Sequence, residues 1–129
     1  FHDMLLTMKM DRDPGKEILS VTSGKDILDI LPDHVETFIK KRVKERIPIR
    51  WIAPDSAVDK AFLEDAASSY REMRFFDLKK YPFHIELDVY ANKVALLSSE
   101  GKPSGIIIEN EVLAKSFAAL FNLIWDCLK

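Results

Sequence analysis

The hydrophobic residues of this chain change their spacing partway along, and that change restricts the fold more than any other feature. Early in the chain, short apolar runs at 18–22 and 49–53 flank a segment of helical spacing that starts at a capping-box pattern of Asp33 and Glu36. From Phe83, apolar and polar residues alternate with period two, which is typical of a strand with two unlike faces. The spacing therefore predicts an α/β fold in which strands and helices alternate before an antiparallel hairpin.

The remaining predicted elements complete one domain spanning residues 1–129. They are a short opening helix over 4–10, a helical turn over 26–31, a helix from an N-cap at Ser56 to Ser69, a strand at 73–76, a hairpin turn at 91–93, a strand at 105–109 and a terminal helix from Glu111. Asn92 is the turn residue that tolerates a positive φ best. Together these elements predict a mixed sheet flanked by helices.

Composition narrows the class of protein further. The 129 residues are 47% hydrophobic, enough to fill one core, and the formal charge of -2 does not indicate a nucleic-acid-binding surface. The apolar runs are too short for a bilayer core of ~30 Å, so we expect no membrane partner. A single cysteine, Cys127, excludes an internal disulfide and favours a cytoplasmic protein. We expect no cofactor, because the chain lacks a glycine-rich phosphate loop and a multi-thiolate metal motif.

The polar residues of the period-two segment are the strongest candidates for a site. His84, Glu86 and Asp88 fall on one face of the predicted strand. Residues two apart lie ~7 Å apart, but His84 and Asp88 are ~13 Å apart, so at most two of the three could bind one metal ion. Three interpretations stay open: the solvent-exposed polar face of a hairpin, a polar ligand pocket, and a metal site completed from elsewhere.

A basic cluster on the first long helix is the second candidate. Lys40, Lys41, Arg42, Lys44 and Arg46 lie opposite the apolar residues of that helix and share it with acidic residues. No aromatic residue is interleaved for base stacking, so the cluster favours a solvated helix face, with a dimer contact or a ligand-recruiting surface as alternatives.

The order of several segments resembles a known family. The segments are 42–54, 73–76 with 81–83, 90–97, 105–110, and Phe117 with 121–125. Across Glu17 to Lys129 they are similar to the C-terminal sensor domain of TrmB-type transcriptional regulators of archaea and bacteria. The resemblance implies a phospholipase-D-like α/β fold, a homodimer, and an unidentified small-molecule effector, a sugar being one class that such domains sense. It also implies DNA binding through a winged-helix domain, which we expect outside this chain because the sequence begins with Phe1 rather than Met.

The resemblance also allows a comparison with phospholipase-D enzymes, whose motif is His-x-Lys-x4-Asp. His84 matches the first position, but Glu86 stands where the lysine is required and Ala91 where the aspartate is required. A carboxylate repels the phosphate that a lysine would neutralise, so we predict no catalytic residues and a non-catalytic sensor. We predict that His84 and Glu86 bind the effector. The alternatives are a degenerate phosphodiesterase using His84, and an interaction module whose terminal helix packs on a partner through Phe117, Phe121 and Trp125.

Overall fold

The computed structural model describes residues 17–23, 32–98 and 104–129, and within these ranges it contains a six-stranded sheet. The strands are β1 (Ile18–Val21), β2 (Ile49–Pro54), β3 (Arg71–Phe76), β4 (Ile85–Tyr90), β5 (Lys93–Ser98) and β6 (Ser104–Glu109). The helices are α1 (Pro32–Lys44), the single turn α2 (Ala57–Lys60) and α3 (Glu111–Cys127), with a 3-10 turn at Ala61–Leu63. The α/β class is therefore confirmed. The helix predicted over 4–10 and the turn over 26–31 lie outside the described residues. The N-cap predicted at Asp33 is wrong, because helix α1 begins at Pro32 and Asp33 lies inside it.

The sheet is mixed, with the strand order β3-β2-β1-β4-β5-β6. Strands β1, β2 and β3 are parallel, and β4, β5 and β6 follow as antiparallel neighbours. Strands β1 and β4 consequently lie at the centre, where they pair through residues such as Ser20 and Asp88. A central strand covered by helices on both sides must bury both of its faces.

One face of the sheet packs against α3, and we call it the α3 face. Phe121 and Trp125 are buried there against Val89, Val94 and Ile52. The two rings stack with their centroids 5.7 Å apart. The side chain of Asn110 caps the helix by accepting a hydrogen bond from the Leu113 N–H at 2.9 Å. Burial of each large apolar side chain stabilises the fold by about 1.5–3 kcal/mol.

The opposite face packs against α1, and we call it the α1 face. Its core consists of Ile18, Ile47, Tyr90, Ala95 and Leu97, with Phe38 of α1 packed against them.

Helix α1 ends in a Schellman motif that buries Ile47. The N–H of Ile47 donates to the Arg42 carbonyl at 3.1 Å, and the N–H of Arg46 donates to the Val43 carbonyl at 3.0 Å. Arg46 has a φ of 55°, in the left-handed region that favours glycine. The motif turns the chain so that Ile47 enters the α1-face core directly before β2.

The helix predicted from Ser56 to Ser69 is wrong beyond its first turn. Ser56 is the N-cap as predicted, because its hydroxyl accepts a hydrogen bond from the Asp59 N–H. After α2 and the 3-10 turn, residues 64–70 form further turns that end at Tyr70, with a φ of 53°. Too few apolar residues recur at helical spacing in this segment to hold a longer helix against the sheet.

The hairpin between β4 and β5 has the predicted position but not the predicted conformation. Tyr90 and Lys93 pair across a two-residue turn, and it is Ala91 rather than Asn92 that has a positive φ, 48°. A two-residue hairpin with a left-handed first residue matches the twist of its strands, and here the alanine occupies that position.

Among the described residues, no helix is long and apolar enough to cross a membrane.

Candidate functional site

Strand β4 brings Glu86 and Asp88 to the interior of the α1 face. Asp88 is only 2% exposed, and Glu86 is half-buried with its Oε2 atom enclosed. The interpretation as the polar face of a half-exposed hairpin is therefore wrong for Asp88, whereas the half-buried Glu86 is compatible with it. The physical reason is the central position of β4, because Asp88 lies between Ser20 of β1 and Ala95 of β5.

The enclosed setting raises the pKa of both carboxyl groups. Burial, the Asp88 charge and the hydrogen bond to Asp88 raise the pKa of Glu86 well above its usual range. Burial also raises the pKa of Asp88 to about 6, although hydrogen bonds with Glu86 and Ser20 act in the opposite direction. The two groups therefore titrate as a coupled pair, and burial favours the neutral form of each carboxyl.

The carboxyl pair retains capacity for further hydrogen bonds. Oε2 of Glu86 and Oδ2 of Asp88 are buried without a hydrogen-bond partner. Buried acceptors without a partner are uncommon in native proteins, because they lose solvation without compensation. The arrangement can therefore accept hydrogen bonds from hydroxyl or ammonium groups of a small ligand.

His84 does not join the pair on the strand. It lies one residue before β4 and is exposed to solvent, whereas Glu86 and Asp88 lie within the strand. In the part of the chain that the structure describes, no group of three or more His, Cys, Asp or Glu residues is placed to hold a metal ion. Ligand binding by His84 and Glu86 stays a prediction, and Asp88 is the residue that the structure places beside Glu86.

The basic residues of α1 differ in how far their side chains are buried. Lys40 is exposed and pairs with Glu36 at 3.0 Å, as expected for a solvated helix face. Arg42, in contrast, is 1% exposed, so its expected position on the solvated face is wrong. Arg42 lies one turn after Phe38 and shares its side of the helix, a spacing that could have revealed its burial from the sequence.

Buried Arg42 lies close to a second buried arginine that sequence reasoning missed. Nη1 of Arg42 donates to the Ile47 carbonyl at 2.9 Å, and Nη1 of Arg71 donates to the Phe62 carbonyl and to Asp65, both at 2.9 Å. Burial and the nearby Arg71 charge lower the pKa of Arg42 to about 10, with Asp65 opposing this effect. Arg42 consequently remains charged at neutral pH.

The outer side of α3 is the third notable surface. Phe121 and Trp125, predicted as contacts for a partner protein, are instead buried in the core, and Phe117 is partly buried against it. We call the exposed apolar residues on the other side of the helix the outer stripe: Val112, Leu113, Leu120, Leu123 and Ile124. Exposed apolar residues that cluster at the two ends of one helix are typical of a protein contact.

A shallow groove of about 250 Å³ lies between the start of β1, the β4–β5 turn and α3. Leu19, Val89 and Ala118 provide apolar walls, and Glu17 and Lys115 lie at its sides. Both charged residues are already engaged, Glu17 with Arg50 and Lys115 with Glu111. The groove has the size of a small-metabolite site but few unused polar groups.

Comparison with known proteins gives one informative result. No protein-family model matches the sequence, and no curated protein matches it. Among solved structures, the chain is similar to TrmBL2, an archaeal chromatin protein reported to show a novel mode of DNA binding, with a TM-score of 0.67 and 16% sequence identity. The match covers 98% of this chain and 50% of the TrmBL2 chain, so this chain spans about half the length of that protein. The fold is thus shared with a TrmB-like protein.

Proposed function

We propose that this chain is the effector-sensing and dimerising domain of a TrmB-like transcriptional regulator, and that it is non-catalytic. The observation that carries the proposal is the fold likeness to TrmBL2, which extends over 98% of this chain but only half of the DNA-binding protein. That extent fits a regulatory part with DNA contacts made elsewhere, in a winged-helix domain outside residues 1–129. A phospholipase-D-like fold is part of the same proposal.

The outer stripe of α3 supports the dimer. Helix α3 has 17 residues and is therefore about 25 Å long, and Leu123 near its end is 64% exposed. Two copies related by a two-fold axis would bury both stripes against each other, which is the usual arrangement for regulators that bind two-fold related DNA sites.

The effector site is proposed at Glu86, with the exposed His84 two residues before it and the buried Asp88 two residues after it. A carboxyl pair with raised pKa values can both donate and accept hydrogen bonds, a combination that suits a ligand rich in hydroxyl groups. Glu86 in place of a phosphate-binding lysine supports sensing rather than phosphodiester hydrolysis.

The dimer is tested by light scattering coupled to gel filtration. We expect wild type to elute at twice the chain mass of 14.8 kDa and the double variant Leu120→Glu/Leu123→Glu to elute as a monomer. Asn122→Glu adds one negative charge on another side of the helix and should remain dimeric. A monomeric wild type would instead favour the interaction module, with the outer stripe contacting a different protein.

The effector site is tested by a thermal-shift screen of sugars and small metabolites, followed by titration of each hit. We expect Glu86→Gln and His84→Ala to weaken binding, and the exposed Glu36→Gln to leave it unchanged. Unchanged affinity in both site variants, with loss of binding in Ala118→Leu, would place the ligand in the shallow groove instead. Phosphodiester hydrolysis that disappears in His84→Ala would contradict the non-catalytic role.

A further inference from the structure

Two buried arginines lie together near the amino ends of β2 and β3. Arg71 begins β3 opposite Ile49 of β2, and Arg42 reaches the carbonyl of Ile47 just before β2. Both side chains belong to the α1 face, where Ile47 and Ile49 pack. Asp88 lies three strands away, about 15 Å at the usual strand spacing of ~4.8 Å, so the arginines are separate from the carboxyl pair.

One donor of the arginine pair is not satisfied by its surroundings. Nη2 of Arg42 is buried without a hydrogen-bond partner, while Nη1 of the same group is used by Ile47. Arg71 pairs with Asp65, which also accepts a hydrogen bond from the Ser69 hydroxyl at 3.2 Å. Asp65 is thus bonded to Arg71, and a buried donor of Arg42 remains unused.

We propose that Arg42 and Arg71 form a binding site for a small oxyanion of the phosphate class. The planar forks of two guanidinium groups match the oxygens of a phosphate, and an anion between them would satisfy Nη2 of Arg42. Both arginines are buried, so the proposed ligand is a small ion rather than the backbone of a nucleic acid. The proposal does not depend on the proposed sensing function.

Asp65 is the group that such an anion displaces. Its side chain is 59% exposed, whereas that of Arg71 is 3% exposed, so the carboxylate covers Arg71 from the solvent side. A phosphate that enters from this side takes the place of Asp65 on Arg71 and reaches Arg42 behind it. Asp65 therefore competes with the ligand, and neutralising Asp65 strengthens anion binding.

The experiment titrates the full chain with sodium phosphate, against sodium chloride at matched ionic strength, by calorimetry and thermal unfolding. We expect saturable binding in wild type, no saturable binding in Arg42→Met, and binding about tenfold tighter in Asp65→Asn, equivalent to about 1.4 kcal/mol. Lys44→Met removes an exposed charge from the same helix and should behave as wild type. Glycerol phosphate, titrated in parallel, distinguishes free phosphate from an esterified source, and the enclosed site should favour free phosphate.

Three results would overturn the proposal. The first is a rise in thermal stability that never saturates, because phosphate stabilises many proteins by exclusion from their surface. The second is saturable binding that Arg42→Met leaves unchanged. The third is weaker binding in Asp65→Asn, and this variant decides the question even if Arg42→Met does not fold.

Discussion

The two faces of the sheet differ in whether the hydrogen-bonding atoms of their charged side chains all have partners. On the α3 face, Arg50 pairs bidentately with Glu17 and lies over the Phe121 and Trp125 rings, and Arg74 donates to the carbonyls of Trp125 and Leu128. On the α1 face, ionisable groups are buried and keep unused atoms: Arg42 Nη2, Glu86 Oε2 and Asp88 Oδ2.

This difference indicates that the α3 face mainly stabilises the fold and that the α1 face is suited to binding. Aromatic packing with satisfied rim charges stabilises a fold, whereas buried polar groups with unused hydrogen-bonding capacity reduce stability and are typical of binding sites. We therefore expect substitutions on the α3 face to affect mainly stability, and substitutions on the α1 face to affect ligand binding and pH dependence.

The largest expected effect is on the α3 face. Trp125→Ala leaves a cavity beside Phe121 and removes the ring under Arg50 and Arg74, which should lower the free energy of unfolding by about 3–5 kcal/mol. Urea denaturation measures this change, and Asp126→Ala, at an exposed position of the same helix outside the outer stripe, is the control. Equal losses in the two variants would show that burial on this face does not limit stability.

The second effect concerns the carboxyl pair on the α1 face. Because the pKa of Glu86 is raised in the folded state, folded protein keeps a proton that unfolded protein releases, and stability falls as pH rises above about 4.5. The raised pKa of Asp88, about 6, adds to this fall between about pH 4 and pH 6. Glu86→Gln keeps a donor toward Asp88 without the titration, so it should stabilise the protein at pH 8 by on the order of 1–3 kcal/mol.

Urea denaturation at pH 4.5, 6 and 8 measures this effect. The stability difference between Glu86→Gln and wild type should grow with pH. Parallel pH profiles for the two proteins would mean that the carboxyl pair is solvated in solution.

A smaller effect is expected where α1 ends. Arg46→Gly removes the steric penalty of a left-handed arginine and should raise stability by about 0.5–1 kcal/mol. Lys44→Gly, inside the helix, should lower stability by about 1 kcal/mol. Thermal unfolding of the two variants compares these opposite signs, and destabilisation by Arg46→Gly would contradict the Schellman geometry.

The smallest effect is expected at the exposed Glu36–Lys40 pair of α1. Both side chains are largely solvated, so Glu36→Gln should change stability by less than about 0.5 kcal/mol. Urea denaturation measures this change in the free energy of unfolding and shows how much an exposed charge on this helix contributes. A loss above 1 kcal/mol would indicate that exposed charges, and not only the buried ones, determine the stability of the α1 face.

Elements with strong local patterns could be predicted from the sequence. Helix α3 follows from its long apolar face, and the Ser56 cap and the β4–β5 hairpin follow from local side-chain chemistry. The candidate site could be predicted only in part. The alternation of polar and apolar residues indicates Glu86 as a site residue, but the burial of Asp88 depends on strand neighbours that lie far away in the sequence.

The arginine pair illustrates why the remaining features could not be predicted. Arg42 stands among five basic residues, and charge composition alone indicates an exposed helix face. Its burial depends on the approach of Arg71 and Phe62 from a segment whose predicted helix does not form. Contacts between residues far apart in the sequence therefore explain two differences. The helix predicted from Ser56 to Ser69 does not continue, and the burial of Arg42 and Arg71 could not be predicted.

The central pairing of β1 with β4 has a consequence for how the chain folds. Val21 pairs with Leu87 and Leu19 with Val89, so more than sixty residues must be enclosed before the middle of the sheet exists. Such a high contact order slows folding, because the entropy of closing this loop is lost before the pairing stabilises anything. The β4–β5–β6 meander joins strands that are adjacent in sequence, so its pairing costs less loop-closure entropy than the pairing of β1 with β4.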